Sequence, residues 1–148
     1  MITRAAYAYS LELLTSAGIQ WTDDMGVTAP VTILESDTPP PTDKAAGAIV
    51  AWTMFATNIR PLEFPREAPW KSIGYIRIAV LVPSLLGPWA RIDVMNAVSD
   101  IYRAASPNMQ AILYGDQSAE MPSDSDSGIY SVTQLMIAWE YDEAMPGT

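Results

Sequence analysis

The sequence predicts an α+β domain, with two helices covering a mainly antiparallel sheet of about five strands. Two observations carry this reading. Residues 3–17 and 88–104 repeat apolar residues at three- and four-residue spacing, the period of an amphipathic helix. Residues 48–58, 74–82 and 130–141 instead alternate residue by residue and are rich in β-branched and aromatic side chains, as strands are. The chain order is helix, three strands, helix, two strands.

The first helix follows a Thr3 cap, places Ala6, Leu13, Leu14 and Ala17 at helical spacing with Tyr7 and Leu11 nearby, and stops at Gly18. Residues 30–36 form a short strand, since β-branched residues sit between turn-forming flanks. The run Ser36-Asp37-Thr38-Pro39-Pro40-Pro41-Thr42-Asp43 ends it, because consecutive prolines remove donors and fix an extended backbone. An extended loop is therefore expected over 37–47, as a connector or as an arm that docks a neighbour. Strand 48–58 sets Ile49, Ala51 and Phe55 against Val50, Trp52 and Met54, so both of its faces need cover. Strand 74–82 repeats this with Ile76, Ile78, Val80 and Val82 against Tyr75, Arg77, Ala79 and Leu81. A second extended loop, 60–71, lies between the two strands and carries three prolines with bulky apolar residues, which suggests contact with a partner.

Pro88 suits the first turn of the second helix, where Trp89, Ile92, Met95, Val98, Ile101 and Tyr102 recur at three- and four-residue spacing through residue 104. Ser106-Pro107-Asn108 ends that helix. Met109 to Tyr114 reads as a strand, Ser118 to Gly128 as a polar loop, Tyr130 to Tyr141 as a long strand, and 144–148 as a loose tail. The 148 residues fit one domain, 1–148, and the hydrophobic fraction of 49% is ample for a core.

Composition narrows function by exclusion. The formal charge is -9, so phosphate neutralisation of the kind that drives nucleic-acid binding is not available over most of the surface. The same charge suits a surface that a polyanion must slide past. No Cys is present, which removes disulfides, thiolate zinc sites and cysteine nucleophiles. No run approaches the roughly 20 apolar residues a membrane span needs, so a soluble chain with no membrane partner is expected. No His is present, which removes the commonest general base and the commonest nitrogen metal ligand. Glycines stand no closer than eight residues apart, and Lys44 and Lys71 lie outside any phosphate-binding loop pattern.

Carboxylates remain. Asp116, Glu120, Asp124 and Asp126 could hold a hard cation, but Gly128 falls at the fifth position of a calcium-type loop rather than the sixth, and Leu135 stands where the bidentate Glu belongs. A solvated acidic loop is the simpler reading. Asp23-Asp24 and Asp142-Glu143 are adjacent pairs whose side chains diverge, and a Ser72 with Lys71 dyad would need a desolvated lysine. No catalytic residue, cofactor or metal site is assigned, and the expectation is that the chain is not an enzyme. Trp52 and Trp139, inside strands, read as core. Trp70 and Trp89, at loop borders, read equally as core or as interface anchors, a role in which Trp, Tyr and Arg are enriched.

One ordered set of segments resembles a known family. It comprises the strand Gly74-Tyr75-Ile76-Arg77-Ile78-Ala79-Val80-Leu81-Val82-Pro83, a turn with Gly87, the helix from Ala90 to Asp100-Ile101-Tyr102, and the closing strand Ile137-Ala138-Trp139-Glu140-Tyr141-Asp142-Glu143. A strand ending in Val-Pro, a Gly, a helix ending in Asp-x-Ile plus an aromatic, and a last strand ending Tyr-Asp-Glu, in this order, resemble the tail terminator, or tail completion, proteins of long-tailed bacteriophages. The likeness runs from about residue 48 onward; the proline-rich segments 37–43 and 60–70 depart from it. The resemblance implies a virion protein assembled in the host cytoplasm. Its hexameric ring would cap the head-proximal end of the tail tube, stop tube polymerisation and join the tail to the head connector. The implied partners are further copies of the chain, the tail tube protein and the head completion protein, with DNA passing through the channel without specific binding. A closed ring needs a heterologous interface, one patch meeting a different patch. Arg60, Phe64, Arg66, Trp70, Tyr75, Arg77, Leu81, Trp89 and Arg91 are the residues expected to build subunit or partner contacts. Other readings are a different neck or tail-tube component, or a small-ligand or metal-binding domain using the 116–126 carboxylates.

Overall fold

The computed structural model of the protein describes residues 4–35, 47–61, 70–105, 112–120, 123–124 and 130–143, with backbone alone at 57–61, 70–71, 123–124 and 142–143. The architecture is α+β. Helices α1 (Arg4–Thr15) and α2 (Pro88–Ala104) lie with a sheet formed by β3 (Thr32–Glu35), β4 (Ile49–Pro61), β5 (Trp70–Pro83), β6 (Ile112–Ala119), β7 (Ser123–Asp124) and β8 (Tyr130–Glu143). The strand order is β3-β4-β5-β8-β6, and β7 continues along β8 beyond β6. All pairs are antiparallel except β3 with β4, which run parallel from Thr32↔Ile49 to Glu35↔Trp52.

Two features depart from the sequence expectation. A hairpin of β1 (Gln20–Thr22) and β2 (Thr28–Pro30) forms a separate two-stranded sheet. The expected 60–71 loop is shorter, because Arg60↔Lys71 and Pro61↔Trp70 are paired ends of β4 and β5. Antiparallel pairing carries both strands past the sequence boundaries, since each added residue gains ladder hydrogen bonds. Likewise Ser118 and Ala119, expected in a polar loop, pair with Met136 and Leu135, and Ser123 and Asp124 pair with β8. Most of the expected 37–47 loop and the whole 144–148 tail lie outside the described residues; Gly47, at its end, is buried with φ +70° beside the Trp21 indole.

The period-two pattern explains the core. On one face of the sheet β4 presents Val50, Trp52 and Met54, β5 presents Ile76, Ile78, Val80 and Val82, and β8 presents Leu135, Ile137 and Trp139, all buried in one cluster. Helix α2 answers with Ala90, Val94, Val98 and Tyr102 at four-residue spacing, and α1 with Ala6, Ser10 and Leu14. Burying each Val, Ile or Leu in this layer contributes about 1.5–3 kcal/mol relative to exposure. Gly18, at φ +64°, follows the last turn of α1 as the sequence indicates. A bulge at Thr57 shifts the β4–β5 register between Ala56↔Gly74 and Asn58↔Ile73. Gly74 is required there, because a Cβ would fall on the Phe55 carbonyl and within 2.8 Å of both the Ala56 Cα and the Trp139 ring.

The other face carries a second cluster of Ile49, Leu81 and Tyr130 with Leu34, Ala51, Ala79 and Val132 against it. Neither described helix packs on this face, because α1 and α2 both belong to the first cluster.

Candidate functional site

Three features of the molecule are candidates for a site: the buried polar network, the described carboxylates, and the two surfaces that carry exposed aromatic or charged side chains.

The network joins four elements. The Trp52 Nε1 donates to the Tyr102 hydroxyl at 2.9 Å, and that hydroxyl donates to the Ser10 carbonyl at 2.8 Å. Ser10 Oγ and the Tyr114 hydroxyl lie 2.6 Å apart, and the Tyr102 and Tyr114 rings meet edge to face at 5.2 Å. Burial drives the Tyr102 phenol far above its ordinary pKa, against a lowering by the Trp52 hydrogen bond, and the nearby Tyr114 raises it further. Burial likewise pushes Tyr114 up to about 12, with Ser10 lowering and Tyr9 raising. Both phenols are thus neutral and inert as bases at physiological pH. Their hydrogen bonds are satisfied by protein groups, so the network ties α1, α2, β4 and β6 together.

Among the described residues no group of three His, Cys, Asp or Glu is placed to hold a metal ion. Asp116 is exposed within β6 at its register shift and Glu120 is exposed just past the strand's end, the Asp124 backbone pairs with Ser131, and Asp126 lies outside the described residues. No described helix is long and apolar enough to cross a membrane.

The first surface is on the face of the sheet away from the helices. The register sets Phe55 opposite Tyr75, Thr53 opposite Arg77, Arg77 opposite Met136 and Tyr75 opposite Ala138. The Arg77 guanidinium stands 5.6 Å from the Phe55 ring centroid, and the Phe55 and Tyr75 rings lie 6.1 Å apart. Arg77 is exposed and Tyr75 is 40% exposed. An aromatic pair with a guanidinium over one of its rings has the composition of a protein interface core.

The second surface is a corner where the β1–β2 turn meets the start of α2. Asp23 Oδ1 accepts from the Met25 and Val27 amides at 2.9 and 2.8 Å and so shapes the turn. The Asp24 carboxylate lies over Gly87, whose φ is +86°; a Cβ there would sit 2.6 Å from the Asp24 Cγ. Helix α2 has no side-chain N-cap and no acid in its first turn, so Asp24 brings the complementary charge to its dipole from outside the helix. Thr22, Asp23, Asp24, Pro88, Trp89 and Asp93 line an open depression of about 520 Å³. Of the six large apolar side chains exposed among the described residues, Met25, Val27, Leu85 and Trp89 lie on the two segments that this contact brings together.

The structure brings Tyr75 and Arg77 into one patch and sets Trp89, 64% exposed, in the corner. Leu81 is buried against Ile49 and Tyr130, so within the chain it already has apolar partners. Arg91 is half-buried and donates to Ser131 Oγ at 3.3 Å, away from the Phe55 patch. Arg60 and Trp70 occupy facing ends of β4 and β5, with their side chains outside the description, and Phe64 and Arg66 lie outside the described residues. Sequence reasoning missed Phe55 and Met136 as surface residues, and Asp24 and Asp93 as neighbours of Trp89. The alternation of β4 carried a signal for Phe55, whereas the Asp24 to α2 contact spans 63 residues (87 − 24) and left none.

No protein-family model matches the chain, and no curated protein matches it.

Proposed function

We propose that the chain is a structural subunit of a ring that caps the head-proximal end of a phage tail tube, stops tube polymerisation and joins the tail to the head connector. The supporting observation is the sheet face opposite the helices, where Phe55, Tyr75, Arg77 and Met136 form an aromatic and cationic patch with no described helix over it. The segment resemblance supplies the identity of the assembly. The role is architectural, with DNA passing a channel that the net charge of -9 keeps free of phosphate adhesion.

The test is the solution mass of the purified chain by light scattering, followed by negative-stain imaging with purified tail tubes. A ring decorating one end of each tube is the expected result. Rings that stack without limit would make the chain a tube subunit instead, and a chain that never associates with tubes would end the proposal.

A further inference from the structure

We propose that the corner between the β1–β2 turn and the start of α2 is the acidic half of a head-to-tail contact. Its other half is the Arg77, Phe55 and Tyr75 patch of a second copy of this chain. The inference rests on the ring reading above and names the two surfaces that would meet.

Charge complementarity carries the argument. The corner sets Asp23, Asp24 and Asp93 around the exposed Trp89, and among the described residues no cation pairs with Asp24 or Asp93. The sheet patch has the opposite sign at its centre. Arg77 is exposed, stands over Phe55, and meets no carboxylate among the described residues. Each surface also has an aromatic platform, Trp89 on one and Phe55 with Tyr75 on the other, so apolar burial and charge pairing would coincide.

The placement matches the topology of a heterologous contact. Arg77 points from β5 away from the helices, whereas Asp93 and Trp89 lie on the solvent side of α2, whose Ala90, Val94 and Val98 face the sheet. A single chain cannot bring together patches on opposite layers of its own fold. Successive copies can, and an open row of copies then keeps one free patch of each kind, one at either end, until the assembly closes.

The experiment uses the full chain and two charge reversals, Arg77→Glu and Asp93→Arg. Asp24 is left intact because its carboxylate serves the start of α2. Each reversal alone should weaken self-association by about tenfold or more, since a close interfacial ion pair becomes a repulsion. The chain carrying both reversals should assemble again, and so should an equimolar mixture of the two single variants, because each then offers a patch complementary to the other. Mass by light scattering and sedimentation reads the outcome, with circular dichroism of each variant checking the fold. The wild-type ring should also loosen as salt is raised, because exposed charge pairs are screened. If the wild type forms rings that neither reversal weakens, or if the doubly reversed chain stays dissociated while folded, this pairing is wrong and the ring reading stands. A wild type that stays monomeric overturns both.

Discussion

Replacing Tyr102 by Phe removes one oxygen from the centre of the molecule and nothing else. That oxygen accepts from the Trp52 indole at 2.9 Å and donates to the Ser10 carbonyl at 2.8 Å, and both Trp52 and Tyr102 are fully buried. Without it the indole N–H has no acceptor and no route to water. The Ser10 carbonyl suffers less, because it lies within α1 and keeps its helical partner. Leaving one buried donor unmade costs about 1–3 kcal/mol, so a loss of about 2 kcal/mol is expected. In a chain of this size that lowers the midpoint of thermal unfolding by about 4–8 °C. The assay is urea and thermal unfolding at fixed protein concentration, which keeps self-association constant between variants. Combining Tyr102→Phe with Trp52→Phe should cost less than the sum of the two, by about 0.5 kcal/mol or more, since the second change removes the group that the first left unpaired. A Tyr102→Phe protein within about 0.5 kcal/mol of wild type would refute the claim that the network holds the layers together.

Three further outcomes follow from the same structure. The Tyr114 phenol, pushed up to about 12 by burial, contributes stability that is whole below its ordinary value of 10.0 and is lost as pH rises toward about 12; pH-dependent unfolding should therefore show a plateau at neutral pH and a fall on the alkaline side. Gly74→Ala should cost about 1–3 kcal/mol or more by overpacking, because the new methyl group meets the Phe55 carbonyl, the Ala56 Cα and the Trp139 ring, and a chemical denaturation midpoint will read it. Trp89→Ala should leave the unfolding midpoint within about 0.5 kcal/mol of wild type, since the ring is 64% exposed, yet reduce assembled mass in light scattering; an unchanged oligomer removes Trp89 as an anchor.

The elements that could be read from the sequence are those with enough residues to establish a period. Helix α2 contains four full turns of pattern, and Pro88 with the break after Ala104 marks both ends. Strands β4, β5 and β8 show apolar residues on both faces, and the structure contains two clusters, one per face. The β1–β2 hairpin escaped because three residues per strand cannot display an alternation, although Asp23 and Gly26, the latter at φ +86°, already carry the chemistry of the turn. Strand ends were misplaced where pairing overrode composition, as at Pro61 and Trp70. Tyr75 and Arg77 were legible as surface candidates from their parity alone. Phe55 was legible from the same parity, but its pairing with Tyr75, and the meeting of Asp24 with Gly87, depend on register and on contacts far apart in sequence. The Ser10, Trp52, Tyr102 and Tyr114 network lies beyond sequence reading for the same reason, since Ser10 and Tyr114 are 104 residues apart.

The position of β5 in the sheet has a consequence for the order in which the molecule comes into being. On a ribosome β5 emerges soon after β4 and can zip to it as a long hairpin, but its other edge must wait for β8, the last strand described along the chain. Until then a run of Ile76, Ile78, Val80 and Val82 has a bare backbone edge, the kind of edge that recruits a neighbouring nascent chain. The sheet can therefore be complete only once β8 is present, because β8 brings Trp139 against Gly74 and supplies the strand with which β6 pairs. Slow synthesis between β5 and β8 lengthens the vulnerable interval, so recovery of soluble protein should depend on chaperone supply more steeply than the stability of the finished domain suggests.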